Sequence, residues 1–273
     1  MLISSASNPI IKQIRALRLR KERERAHACW AEGIRVVAAA IERGAVIERL
    51  VVAPNLLTSA FARQLVEEQQ RRGVPCTEVT RDVFIHLSTK EGPQGIGALI
   101  RQHWKTLDVI RPDAELCWIA LDAAQDPGNL GTILRTGDAV GAAGVILLGH
   151  AADPYDPAAL RASMGAVFSQ RLVRANFEDL VRWKERNGAA LIGTSDAAPT
   201  DYQAVRYPRP AILLMGSERE GLSQEQQAAC DHLARIPMVG HSDSLNLAVA
   251  TAVMLYEIFN QRRASTESGA DGH

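Results

Sequence analysis

The second half of the chain carries short apolar runs at 116–121, 144–148, 190–193, 211–215 and 233–236, with helical stretches between them. Runs this short, apolar throughout and without alternation, are the pattern of strands covered on both faces. Strands alternating with helices predict a parallel sheet flanked by helices. Ligands in such a sheet bind beyond the carboxyl ends of its strands. The residues that follow the runs are therefore the ones to read for chemistry.

The first half reads as a smaller α/β unit. Asn8-Pro9 has the form of a helix cap followed by proline at the first helical position, and Ile10, Ile14 and Leu17 follow at helical spacing. Helices are expected near 34–42, 59–72 and 81–87, and strands at 47–53, 74–79 and 96–101. The stretch 102–115 is weakly patterned and contains Arg111-Pro112-Asp113. We therefore expect one domain over 1–105, a linker at 106–115, a second domain over 116–263, and a disordered polar tail at 264–273.

Composition excludes other classes. The chain is 47% hydrophobic and 23% charged, as a soluble globular protein is. No stretch approaches the ~18 apolar residues of a membrane span, and the opening MLISSASNPIIKQ lacks a signal peptide's apolar core. Cys29, Cys76, Cys117 and Cys230 are scattered without metal or disulfide spacing. A cytoplasmic protein with reduced thiols and no metal is expected. The net charge of zero hides a split: residues 1–105 hold 17 Lys and Arg against 10 acids, and residues 106–273 hold 14 against 21. Seven cations fall at Lys12, Arg15, Arg18, Arg20, Lys21, Arg23 and Arg25. They read either as a surface for a polyanion or as a solvated helix face laced with ion pairs.

Three segments follow strands. Asp126-Pro-Gly-Asn-Leu-Gly131 precedes a helix expected over 132–140, on which Arg135 is the only Lys or Arg between Arg111 and Arg161. An isolated arginine there suits a phosphate clamp, or a surface pair with Asp126 or Asp138. Neither GxGxxG nor GK[ST] is present, which removes the two common nucleotide readings. Gly216-Ser-Glu218-Arg-Glu-Gly221-Leu-Ser223 follows the run at 211–215. Its glycines permit a tight turn, and Ser223 with Gln226 has capping-box spacing. Ile236-Pro-Met238 leads to Ser244-Leu245-Asn246 and an apolar helix over 248–259, with Ser242 or Ser244 as its expected cap. His241 reads as loop surface.

Together these segments resemble the SpoU/TrmH group of SPOUT RNA methyltransferases. Asp126-Pro-Gly-Asn-Leu-Gly-Thr-Ile-Leu-Arg135 matches the first motif, Gly216 to Ser223 the second, and Ile236-Pro-Met238 with Ser244-Leu245-Asn246 the third. Arg161-Ala-Ser163-Met-Gly165-Ala matches the segment between them. Glu32-Gly33 and Pro93-Gln-Gly95-Ile-Gly-Ala98 resemble the family's small RNA-binding domain, which is like a ribosomal protein. The resemblance implies that domain plus a parallel-sheet α/β domain with a deep trefoil knot. It implies methylation of a ribose 2′-hydroxyl in structured RNA, with S-adenosylmethionine as cofactor and a homodimer with sites at its interface. Leu214, Gly216, Ser217, Ile236, Met238 and Leu245 would hold the cofactor. Arg135, Asn129, Glu218, Ser244 and Asn246 would form the catalytic set. Lys12, Arg18, Arg35 and Lys90 would contact RNA.

A guanidinium is a poor general base, which leaves two roles for Arg135: a base whose pKa is depressed by a nearby sulfonium in a dry site, or, favoured on energetic grounds, a charged group that grips a phosphate and stabilises developing negative charge. A full first domain favours ribosomal RNA of the large subunit. Transfer to tRNA, a catalytically inactive RNA-binding relative and a nucleotide-dependent metabolic enzyme are the competing readings.

Overall fold

The computed structural model describes residues 2–89, 91–112 and 115–270, the last five as backbone. Along the chain come β1 (Leu2–Ile3), α1 (Pro9–Ala16), α2 (Arg20–Ala26), β2 (Ala28–Glu32), α3 (Ile34–Glu42), β3 (Ile47–Val52), α4 (Ala60–Arg71), β4 (Cys76–Val79), α5 (Arg81–Leu87) and β5 (Ile96–Arg101). Then follow β6 (Trp118–Asp122), α6 (Pro127–Val140), β7 (Gly144–Leu148), α7 (Pro157–Ser163), β8 (Arg171–Ala175), α8 (Phe177–Asn187), β9 (Ala190–Thr194), β10 (Thr200–Asp201), β11 (Ala211–Met215), α9 (Gln224–Ala229), β12 (His232–Arg235) and α10 (Leu247–Ala270). They form two units: Met1–His103 with Asp153–Ser169, and Trp104–Ala152 with Gln170–His273.

The first unit holds a mixed sheet in the order β1-β4-β3-β5-β2. Asn8 caps α1 as expected, its Oδ1 accepting from the Ile10 N–H at 2.9 Å. The segment Asp153–Ser169 is second-half chain by position, and the expected boundaries did not assign it here. Its acids explain its place. Arg23 is 2% exposed; its Nε donates to Asp153 Oδ2 at 2.7 Å and its Nη2 to Asp156 Oδ2 at 3.2 Å. Arg23 Nη1 also donates to the carbonyls of Leu17 and Arg18. The Tyr155 hydroxyl accepts from the His103 N–H at 2.8 Å and donates to the His103 carbonyl at 3.1 Å. Gly165, at φ 93°, sits where a Cβ would come within 2.4 Å of the Ala39 Cβ.

The second unit holds a parallel sheet in the order β10-β12-β9-β11-β6-β7-β8. Strands β7 and β11 are buried along their whole length, which accounts for their unbroken apolar sequence. Trp118 and Trp183 meet edge to face in this core with centroids 6.0 Å apart, a contact worth about 0.5–1.5 kcal/mol beyond area burial.

Three expectations need correction. The helix expected from 132 begins at Pro127, because Asp126 caps it by accepting from the Asn129 N–H at 2.6 Å. The tail expected to be disordered continues α10 as far as Ala270: no glycine or proline interrupts it before Gly269, and the Ser265 hydroxyl donates back to the Gln261 carbonyl at 2.8 Å. Residues 271–273 lie outside the described residues. The cap of α10 is Asn246, neither Ser242 nor Ser244.

Candidate active site

Because the sheet is parallel, β12, β9, β11 and β6 end at one edge, and the loops that leave them there build the site. The turn after β11 closes on itself: the Ser217 N–H donates to the Gly221 carbonyl at 3.0 Å and the Gly221 N–H to the Ser217 carbonyl at 3.1 Å. A Cβ on Gly216 would lie 2.1 Å from the Gly221 backbone, so only glycine fits. Ser223 and Gln226 form the expected capping box at the start of α9. Beside this turn is a cavity of about 400 Å³.

Five of the six expected cofactor residues line that cavity: Gly216, Ser217, Ile236, Met238 and Leu245. Met238 and Leu245 are 38% and 37% exposed, leaving apolar surface open to a ligand. Leu214 lies elsewhere. It is fully buried in the core with Trp118 and Ile146, while its neighbour Met215 supplies the cavity wall, since adjacent strand residues point to opposite faces. Glu218 and Ser244 also line the cavity.

Glu218, Asn129 and Asn246 are brought together by hydrogen bonds with a fixed direction. Asn246 Oδ1 accepts from the Ala248 and Val249 N–H groups at 2.9 and 3.3 Å, capping α10. Only the oxygen of an amide accepts, so Asn246 Nδ2 points away, and it donates to Asn129 Oδ1 at 3.0 Å. Asn129 Nδ2 in turn donates to Glu218 Oε1 at 2.7 Å. The series runs one way, from the start of α10 to a carboxylate. Arg135 stands apart: exposed on α6, outside the cavity wall, and without a hydrogen bond or ion pair among the described residues. The surface pair with Asp126 or Asp138 does not form.

The RNA candidates divide. Lys12 and Arg35 are exposed and have no hydrogen-bond or ion-pair partner among the described residues. Arg18 is committed to the chain itself, its Nη2 donating to the carbonyls of His86, Leu87 and Ser88 at 3.0–3.1 Å at the end of α5. Lys90 lies outside the described residues. Of the other early cations, Arg23 is buried, while Arg20 and Arg25 pair with Glu24 and Glu22. Much of the basic cluster is thus spent within the chain.

Thr194, Ser195 and Asp196 also line the cavity. Sequence reasoning passed over them, although they follow the run at 190–193 and the rule of strand ends points to them. The Thr194 hydroxyl donates to Met215 Sδ at 3.7 Å, linking the two walls. No thiol serves the site as a thiolate: burial pushes Cys117 up to about 12 and Cys230 up to about 11. No group of three or more His, Cys, Asp or Glu among the described residues is placed to hold a metal ion.

Residues 117–256 match the SpoU rRNA Methylase family, and residues 8–98 match the MRM3-like substrate binding domain. The chain is 33% identical to a 23S rRNA uridine 2′-O-methyltransferase of Streptomyces viridochromogenes, over 89% of this chain and 86% of that protein. It is 28% identical to a 23S rRNA guanosine 2′-O-methyltransferase of Bacillus subtilis, over 94% and 98%. The crystal structure of an AdoMet-bound rRNA methyltransferase from Sinorhizobium meliloti superposes with a TM-score of 0.87 at 38% identity, covering 95% of this chain and 97% of that one.

Proposed function

The chain belongs to the SpoU rRNA methylase family, and we propose that its substrate is large-subunit ribosomal RNA, methylated on one ribose 2′-hydroxyl in the cytoplasm by a homodimer. It is a methyltransferase of the SPOUT fold that uses S-adenosylmethionine. The observation that carries the proposal is the hydrogen-bond series from Asn246 through Asn129 to Glu218 beside a cavity of mixed polar and apolar lining.

The cavity fits the cofactor. Ile236, Met238 and Leu245 offer apolar surface to a flat base, and Asp196, Glu218 and Asp243 offer negative charge to a sulfonium. When bound, S-adenosylmethionine supplies an electrophilic methyl group on positively charged sulfur. The chain must then orient a ribose hydroxyl and assist loss of its proton, because a neutral hydroxyl is a weak nucleophile. The Asn129 amide, held at both ends, and the Glu218 carboxylate are fixed polar groups for that sugar, with Ser244 on the same wall.

The Arg135 guanidinium has no partner among the described residues, which suits the phosphate next to the target ribose. It lies outside its own chain's cavity, which favours a site completed by a second copy. Val249, Val253 and Tyr256 recur at helical spacing along α10 and remain exposed or half-buried, an apolar stripe that suits such pairing. Lys12 and Arg35 add sequence-independent grip from the first unit.

Arg135→Ala tests this reading. It should abolish methyl transfer to ribosomal RNA while calorimetry still shows S-adenosylmethionine uptake. Arg135→Lys, which keeps the charge but loses the planar fork, should also be severely impaired. Near wild-type turnover in the alanine variant refutes the assignment.

A further inference from the structure

Glu32 closes β2 and is buried. One of its oxygens accepts from the Ser88 hydroxyl and the other from the Thr89 N–H at 3.1 Å. Gln94 Oε1 accepts from the Ile34 N–H at 3.0 Å, where α3 begins. Ser88 and Thr89 are thereby tied to the end of β2 and Gln94 to the start of α3. Arg161, at the end of α7, donates through Nη1 to the Thr89 hydroxyl at 3.2 Å. Arg161 is exposed, and its remaining guanidinium donors have no partner among the described residues.

Arg161, Thr89 and Glu32 share a shallow cleft with Trp30 and Val36. The Trp30 side chain is 8% exposed, and its indole Nε1 has no hydrogen-bond partner among the described residues. Arg35, next to Val36, is exposed on the first turn of α3. The cleft therefore presents a set of guanidinium donors on Arg161, unpaired among the described residues, beside a carboxylate already satisfied. Such a set selects a ligand rich in anionic acceptors.

We propose that Arg161, supplied by the segment Asp153–Ser169 and set by Thr89 on the Glu32 clasp, contacts a backbone phosphate of the RNA substrate. The proposal rests on the RNA reading above and adds a contact that chain order assigns to the other half. Arg161 positions itself through the Thr89 hydroxyl alone, so its charge is separable from its place.

The test is the salt dependence of affinity for a fluorescein-labelled RNA hairpin, read by anisotropy on the full chain. One lost phosphate contact lowers the slope of log K against log salt by about 0.7–0.9 and weakens binding roughly 3- to 10-fold near 0.1 M salt. Arg161→Gln, which keeps a donor for Thr89 but removes the charge, should show both changes with an unaltered melting temperature. Arg161→Lys should retain the wild-type slope. Arg182→Gln, which removes an exposed cation paired with Asp179 on α8, should retain it too. An Arg161→Gln slope equal to wild type, or an equal fall in Arg182→Gln, overturns the proposal. A wild-type protein whose RNA affinity ignores salt refutes the RNA reading itself, a different and prior failure.

Discussion

Asn246→Asp separates the two tasks of one side chain. A carboxylate accepts from the Ala248 and Val249 N–H groups as the amide oxygen does, and negative charge at the start of a helix adds about 0.3–1 kcal/mol. The cap therefore survives, and the melting temperature should hold or rise by a few degrees. The donor to Asn129 is lost. Asn129 must turn its NH₂ toward the new carboxylate, which leaves its oxygen facing that of Glu218, where a 2.7 Å hydrogen bond stood. A hydrogen bond to a charged group contributes about 1.5–3 kcal/mol, so kcat/KM should fall about 10- to 150-fold. Asn246→Ala should show the same loss of activity together with a lower melting temperature, since a missing cap costs about 1 kcal/mol. The assay is transfer of tritiated methyl to ribosomal RNA from a strain lacking the gene, with thermal unfolding followed by circular dichroism. Wild-type turnover in Asn246→Asp, or a melting temperature as low as that of Asn246→Ala, refutes the directional series.

Two further predictions concern assembly. If a second copy completes each site, mixing inactive Arg135→Ala with inactive Glu218→Ala should restore up to about a quarter of wild-type activity through mixed dimers; a mixture that stays inactive places both residues in one chain's site. Arg23→Met should cost about 3–5 kcal/mol in urea unfolding, because it strands Asp153 at 3% side-chain exposure. The double variant Arg23→Met, Asp153→Leu should recover much of that loss, and hydrogen exchange over 153–169 should quicken only in the single variant. A single variant as stable as wild type contradicts the buried-pair account.

The strands that sequence reveals are the interior ones. β3 and β5 in the first sheet, and β6, β7, β9 and β11 in the second, carry apolar runs because neighbours cover them, while β4 (CTEV) and β12 (HLAR) are interior but more polar. The four that escape, β1, β2, β8 and β10, are the sheet edges. Two of them are two residues long, β2 (ACWAE) mixes small, aromatic and charged residues with a poor strand signature, and β8 (RLVRA) carries two arginines. The start of α6 was legible but overlooked: Asp126-Pro127 repeats the signal of Asn8-Pro9, as does Asp156-Pro157 at α7. Loop chemistry was legible for Glu218 and Asn246, since each follows a readable strand or precedes a readable helix. Leu214 was misplaced because strand parity decides which of two adjacent apolar residues meets the cavity. The fate of Arg23 was not legible, because its partners lie 130 and 133 positions away and no local pattern pairs them.

The discontinuity of the first unit bears on how the protein is made. A chain emerging from the ribosome has finished β5 well before Asp153–Ser169 exists, and at ~5–20 residues per second the wait is roughly 3–13 s. Until then Arg23 has no carboxylates and Ala39 has no Gly165 against it. The amino-terminal unit therefore cannot reach its final state ahead of the rest, as leading domains usually do. An expression fragment stopped at His103 is, by the same token, an unfinished intermediate that invites chaperone capture.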